Sequence, residues 1–209
     1  MIIRPDDVVL FTGDSITDCG RNREDANNLG GGYQMLAAGQ LFAQVGSPDL
    51  KVYNRGISGN RVYDLEARIE SDLLALKPTV LSILIGINDT WRRFDSNTIS
   101  ATADFKASYQ RILSRVKKEL PETQIILLEP FLLPVPEDRK NWREDLDPKI
   151  TATRELSIEF GTEFIPFDGI FAEAATRAPA NYWLPDGVHP SLAGHTLIAD
   201  AWLDHAQIG

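Results

Sequence analysis

Hydrophobic positions follow two rhythms along this chain. Short, mostly apolar runs occur at 8–12, 80–85 and 124–128, with weaker ones at 51–54 and 164–167. Parallel strands are covered on both faces, so they read as continuous Val/Ile/Leu stretches rather than as alternating ones. Between the runs, apolar residues recur with helical spacing, which predicts helices over 33–45, 64–76, 105–120, 147–160 and 191–205. In 64–76, for example, Leu65, Ile69, Leu73 and Leu76 fall at intervals of four, four and three, one buried face of a helix. Strands alternating with helices of this length predict βαβ units and a parallel sheet, hence a three-layer α/β/α sandwich. One segment departs from the pattern. Residues 129–148 hold Pro130, Pro134, Pro136 and Pro148 among many charges. They read either as a functional loop (a lid, a binding loop or a subunit contact) or as a solvated excursion.

With 209 residues the chain is expected to form a single domain, 1–209, large enough to bury a core without staples. Cys19 is the only cysteine, so neither an intramolecular disulfide nor a thiolate zinc site within one chain is available. Thirty acidic against 21 basic residues give a net charge of −9. That balance disfavours nucleic acid and anionic membrane surfaces as partners. No stretch reads as a secretory signal or a membrane span, so a cytoplasmic location is expected.

In an open parallel sheet, ligands bind at the carboxyl ends of the strands. After the first run comes Gly13-Asp14-Ser15-Ile16-Thr17-Asp18, after the next Asn54-Arg55-Gly56-Ile57-Ser58-Gly59-Asn60, and after the third Gly86-Ile87-Asn88-Asp89. Asp186-Gly187-Val188-His189-Pro190-Ser191 precedes the last helix. Of the three histidines, His195 and His205 fall inside the C-terminal helical pattern. His189 lies in a loop, where Asp186 can turn back onto its Nδ1–H and fix the tautomer a general base needs. Ser15 follows a glycine turn at the start of a helical turn, the place for a nucleophile activated by a base, and equally for an N-cap. Ser58 is a rival nucleophile. The G-x-S-x-G elbow is absent, which disfavours an ordinary α/β-hydrolase. Gly59 and Ser15 offer backbone N–H groups and Asn88 a side-chain amide to a developing oxyanion, though each also suits a plain turn. Trp91 and the pair Tyr182-Trp183 read as sugar-stacking rings or as core and interface anchors. Asp14, Trp91 and Trp183 are the candidate substrate contacts. Cys19 reads as a buried, inert thiol.

The four segments resemble the four ordered blocks of the SGNH (GDSL) hydrolase family. That resemblance implies a flavodoxin-like sheet of order 2-1-3-4-5, with Ser15 as nucleophile, His189 as base and Asp186 orienting it. It also implies an oxyanion hole of Ser15 N–H, Gly59 N–H and the Asn88 amide. A finer similarity, carried by Cys19-Gly20-Arg21 after the first block and Thr90-Trp91-Arg92 after the third, is to the carbohydrate acetyl esterases of the family, notably acetylxylan esterases. It implies an acetylated sugar as substrate, no cofactor, and a homo-oligomer, an octamer among the options. Esterases of longer acyl chains, of lysophospholipase or thioesterase type, are the main alternative. A metallophosphatase built on Asp14, Asn88, Asp89, Asp186 and His189 is disfavoured by the scarcity of histidine. A non-catalytic flavodoxin-like binding module and a nucleotide site are further, weaker readings, the latter lacking any glycine-rich phosphate motif.

Overall fold

The computed structural model describes residues 1–209. Chain order runs β1 (Ile2–Ile3), β2 (Val8–Gly13), α1 (Ser15–Asp18), α2 (Tyr33–Val45), β3 (Lys51–Gly56), α3 (Val62–Ala67), α4 (Ile69–Asp72), β4 (Val80–Leu84) and α5 (Ile87–Asp95). It continues with α6 (Thr102–Glu119), β5 (Gln124–Leu128), α7 (Arg143–Phe160), β6 (Glu163–Ile165), α8 (Phe167–Ala174), α9 (Ala180–Trp183), α10 (Leu192–Leu203) and β7 (Gln207–Ile208). Five strands form one parallel sheet in the order β3-β2-β4-β5-β6. This is the expected 2-1-3-4-5 arrangement of the five core strands. β1 and β7 pair separately and bring the chain ends together.

Side chains of the central strands alternate between two cores. Val9, Phe11, Ile126 and Leu128 pack against Tyr33, Ala37 and Leu41 of α2 and Ile198 and Trp202 of α10. Leu10, Leu81, Ile83, Ile125 and Leu127 face Leu65 of α3, Tyr109, Ile112 and Val116 of α6 and Leu156 of α7. Both faces are therefore covered, which is why these strands read as mostly apolar runs. No helix is long and apolar enough to cross a membrane.

Two expectations are corrected. The helix read over 64–76 is broken into α3, α4 and a 3-10 turn, Leu74–Leu76. Its apolar face is buried as expected, but at Arg68 the backbone leaves helical geometry (φ −106°, ψ 11°). The Arg68 guanidinium reaches the sheet edge, donating to Gly13 O (3.0 Å), Arg55 O (2.7 Å) and Asn60 Oδ1 (2.8 Å). One side chain thereby ties the ends of β2 and β3 together at the point where the helix breaks. The second correction concerns 129–148. Phe131, Leu132, Leu133, Trp142 and Leu146 are buried, so the segment is not a solvated excursion. It forms a 3-10 turn over Glu137–Trp142, and α7 begins at Arg143 rather than near residue 147. The acidic first turn, Glu144 and Asp145, suits the positive end of a helix, and Arg143 grips Asp168 with two bonds of 2.6 and 2.8 Å. Pro148, the last proline of the segment, sits more than a turn inside α7.

Candidate active site

The site lies where β2, β3 and β4 end. β2 stops at Gly13, and Asp14 caps α1 by accepting the Ile16 N–H at Oδ1 (3.0 Å). Ser15 is the first residue of α1, where no helical carbonyl can reach its N–H. Its Oγ lies 2.9 Å from His189 Nε2, across 174 positions of sequence. His189 Nδ1 lies 2.7 Å from Asp186 Oδ2. The other carboxylate oxygen, Oδ1, accepts the N–H groups of Val188 (3.0 Å) and His189 (2.7 Å). Three hydrogen bonds thus hold Asp186 as a charged acceptor. Partial burial pushes its acidity toward the neutral form, but the His189 bond and the two backbone N–H groups outweigh this and keep it well below the usual carboxylate range. An acceptor-only carboxylate requires a proton on Nδ1. The Nε2 lone pair then faces Ser15. The same bond from Asp186 raises the His189 pKa above its ordinary value, against the opposing effect of burial.

The loop after β3 is anchored on both sides of Gly59. Ser58 donates its N–H (2.8 Å) and Oγ–H (2.9 Å) to Asp18 Oδ2, at the end of the helix that begins with Ser15. Asn60 O accepts from Asn88 Nδ2 (3.0 Å), on α5. Gly59, between these anchors, has φ +83°, a conformation that a side chain disfavours, and its N–H has no acceptor in the fold. Asn88 has a second amide hydrogen left over. Burial works to raise the Asp18 pKa, but Arg23 and the Ser58 donors prevail and hold it below the usual value. Ser58 gives its hydroxyl proton to Asp18, a carboxylate held ionised and so only a weak base, whereas Ser15 faces an imidazole.

Asp14 is 1% exposed, and its Oδ2 has no partner. Burial pushes its pKa up to about 7, against the Ile16 N–H and the nearby His189. It lies beneath the Ser15 turn rather than at a surface. Trp91, on α5, places its ring 5.7 Å from the His189 ring. Trp183 packs on the core beside Tyr182, with Arg177 over its ring; no hydrogen bond or ring pairing links it to Ser15, His189 or Asp186. His195 is buried and accepts the Tyr33 N–H at Nδ1 (3.1 Å), so its Nε2 carries the proton and faces Cys19 Sγ at 3.4 Å. Burial lowers the His195 pKa to about 4 and raises that of Cys19, so this pair holds a neutral imidazole and a thiol.

Sequence reasoning missed Arg139. Its Nε donates to Asp186 O (2.8 Å), and its guanidinium sits 4.4 Å from the Trp91 ring centre and 4.0 Å from that of Trp142. The same segment presses on the loop of Asp186 and His189. Leu133 N–H donates to Gly187 O (2.9 Å), and a Cβ on Gly187 would meet Val135 O at 2.3 Å. A run of prolines and charges gives no local sign of such a brace.

The family model of GDSL-like lipases and acylhydrolases matches residues 11–197. The chain belongs to this family. It is 38% identical over 203 residues to an acetylxylan esterase of Geobacillus stearothermophilus, covering 93% of this chain and 91% of that enzyme. Among solved structures, that acetylxylan esterase superposes with a TM-score of 0.86 at 34% identity, over 95% of this chain and 93% of its own. A Parabacteroides merdae protein described as a GDSL-like lipase superposes with a TM-score of 0.91 at 43% identity, over 95% and 94% of the two chains. An alpha/beta hydrolase enzyme from the metagenome of Lake Arreo gives 0.86 at 30% identity, over 95% and 94%. The protein is a carboxylic-ester hydrolase with the SGNH hydrolase fold.

Proposed function

We propose that this GDSL-family protein is a serine esterase that removes acetyl groups from acetylated carbohydrate of the xylo-oligosaccharide kind, through an acetyl-enzyme on Ser15. The observation that carries the reading is the hydrogen-bonded line from Ser15 Oγ through His189 to Asp186, at 2.9 and 2.7 Å. Ser15 Oγ attacks the acetyl carbonyl carbon as its proton passes to His189 Nε2. Charge accumulates on the carbonyl oxygen, for which the N–H groups of Ser15 and Gly59 and the free amide hydrogen of Asn88 are the donors. Asp186 stays ionised and stabilises the imidazolium. Collapse breaks the bond to the sugar oxygen, which takes the proton from Nε2. Water, deprotonated by Nε2, then attacks the acetyl-enzyme, acetate departs, and Ser15 regains its proton.

Support for a sugar substrate comes from the acetylxylan esterase relative and from the open setting of the base. The His189 side chain is 43% exposed, which leaves room for a bulky leaving alcohol. A substrate panel tests the reading: acetylated xylo-oligosaccharides, other acetylated sugars, aryl acetates and esters of longer acyl chains. The sugar acetates are expected to give the highest kcat/KM. A preference for long acyl chains would replace this reading with a lipid- or thioester-directed one.

A further inference from the structure

A cavity of about 360 Å³ lies beside the site, lined by Trp91, Phe94, Pro136, Asp138, Asn141 and Trp142, among others. We propose that it is a subsite for a neutral pyranose ring, the unit next to the acetylated sugar on the leaving-group side. The inference deepens the carbohydrate-esterase reading and rests on it.

Direction comes from the chemistry. The leaving oxygen must receive its proton from His189 Nε2, so the departing alcohol lies on the imidazole side of the scissile bond and away from the oxyanion donors. Trp91 flanks that imidazole at 5.7 Å between ring centres and also lines the cavity. A saccharide leaving past His189 therefore crosses Trp91 and enters the cavity. Composition identifies the occupant. Trp91 packs edge-on to Trp142 at 5.2 Å, and Phe94 stacks on Trp142 at 5.2 Å with 9° between planes. Phe94 remains 37% exposed. Trp142 is itself buried, so the apolar surface offered to the C–H face of a pyranose is that of Phe94 and the half-buried Trp91. At the rim, the exposed side chains of Asp138 and Asn141 make no hydrogen bond within the protein, leaving acceptors for sugar hydroxyls. The cationic lining group, Arg139, is committed to the two tryptophan rings and to Asp186 O. Asp95 is paired with Arg92, but an anionic headgroup would meet the unpaired carboxylate of Asp138, and an acyl chain would strip water from it. A neutral polyol suffers neither penalty. The volume is near the lower end of small-molecule sites, ~300–1,000 Å³, which suits a short saccharide segment.

Unacetylated xylotriose is the probe, titrated against the wild-type protein with tryptophan fluorescence as readout. In parallel, kcat/KM is measured on acetylated xylotriose and on acetylated xylose. Xylotriose is expected to bind and to perturb fluorescence. Asn141→Ala and Phe94→Ala are expected to weaken binding at least five-fold, and to lower the ratio of kcat/KM for trisaccharide over monosaccharide by a similar factor. Asn141 is exposed, so its variant keeps the test valid if loss of the Phe94 ring disturbs folding. Failure of xylotriose to bind, or affinity unchanged in both variants, would overturn the subsite. With acetylated xylose still hydrolysed, that result would leave the esterase reading standing. A wild-type preference for long acyl esters over every sugar acetate would overturn both.

Discussion

Replacing Asp186 by Asn tests the tautomer argument while leaving the shape of the site almost unchanged. Oδ1 accepts two backbone N–H groups, at 2.7 and 3.0 Å, so the amide oxygen of the introduced asparagine must take that place. The amide nitrogen then occupies the position of Oδ2, 2.7 Å from His189 Nδ1. It can only donate, so Nδ1 must accept, and the ring proton moves to Nε2, facing Ser15 Oγ. The base is lost although every atom is nearly where it was. Where a carboxylate orients a histidine in this way, the change lowers kcat about 10⁴-fold. At ~1.36 kcal/mol per factor of ten, that is about 5 kcal/mol of transition-state stabilisation. The assay is kcat and kcat/KM on p-nitrophenyl acetate, with circular dichroism and melting temperature as folding controls. Stability supplies a second readout with a definite sign. A carboxylate held below its unfolded pKa stabilises the fold above that pKa, and the stabilisation is lost as pH falls through the folded value. The melting-temperature advantage of wild type over Asp186→Asn should therefore shrink below about pH 4. A folded Asp186→Asn protein that loses less than ten-fold in kcat would refute the reasoning.

Asn88→Ala removes one oxyanion donor and should lower kcat by about 10²–10³, or ~2.7–4 kcal/mol, with KM for aryl acetates changed far less. The acid limb of kcat/KM should lie above the ordinary histidine value, because His189 must be neutral to act and Asp186 raises its pKa. The Arg139 charge opposes that rise, so Arg139→Met should move the limb to still higher pH; a limb that moves down would contradict the assignment. Burial gives Asp14 a pKa of about 7 against a reference of 3.8, so the folded state keeps a proton that the unfolded state has released. Its contribution to stability accordingly declines as pH rises from about 4 to 7 and then levels off. Compared with wild type, Asp14→Asn should gain in melting temperature between pH 5 and pH 8; a gap that stays constant would show that Asp14 is ionised throughout.

The parts of this molecule that were readable from sequence are those whose cause is local. Val9, Leu10 and Phe11 are wholly buried, and a strand covered on both faces must be apolar at each position. Asp186 and His189 sit three residues apart, so their bond is written in the spacing. The Arg139 brace on Asp186 spans 47 positions, and the Asp18 clamp on Ser58 spans 40; no periodicity announces either. Arg68, at the break in a well-patterned helix, donates to carbonyls that two strands bring together, a contact that exists only after the sheet has formed. The burial of Asp14 was hidden for a similar reason. The residue is polar and follows a glycine turn, yet as the N-cap of α1 it is buried at the end of β2. β1 and β7 are two residues each, too short to carry a pattern.

Mapping the covalent adduct of a fluorophosphonate by peptide mass spectrometry tests the central claim most directly, because the reagent marks whichever hydroxyl a base has activated. Modification of Ser15, with parallel loss of p-nitrophenyl acetate turnover and no labelling of Ser15→Ala, is the expected result. An adduct on Ser58 or elsewhere, or full turnover by Ser15→Ala, would contradict the account.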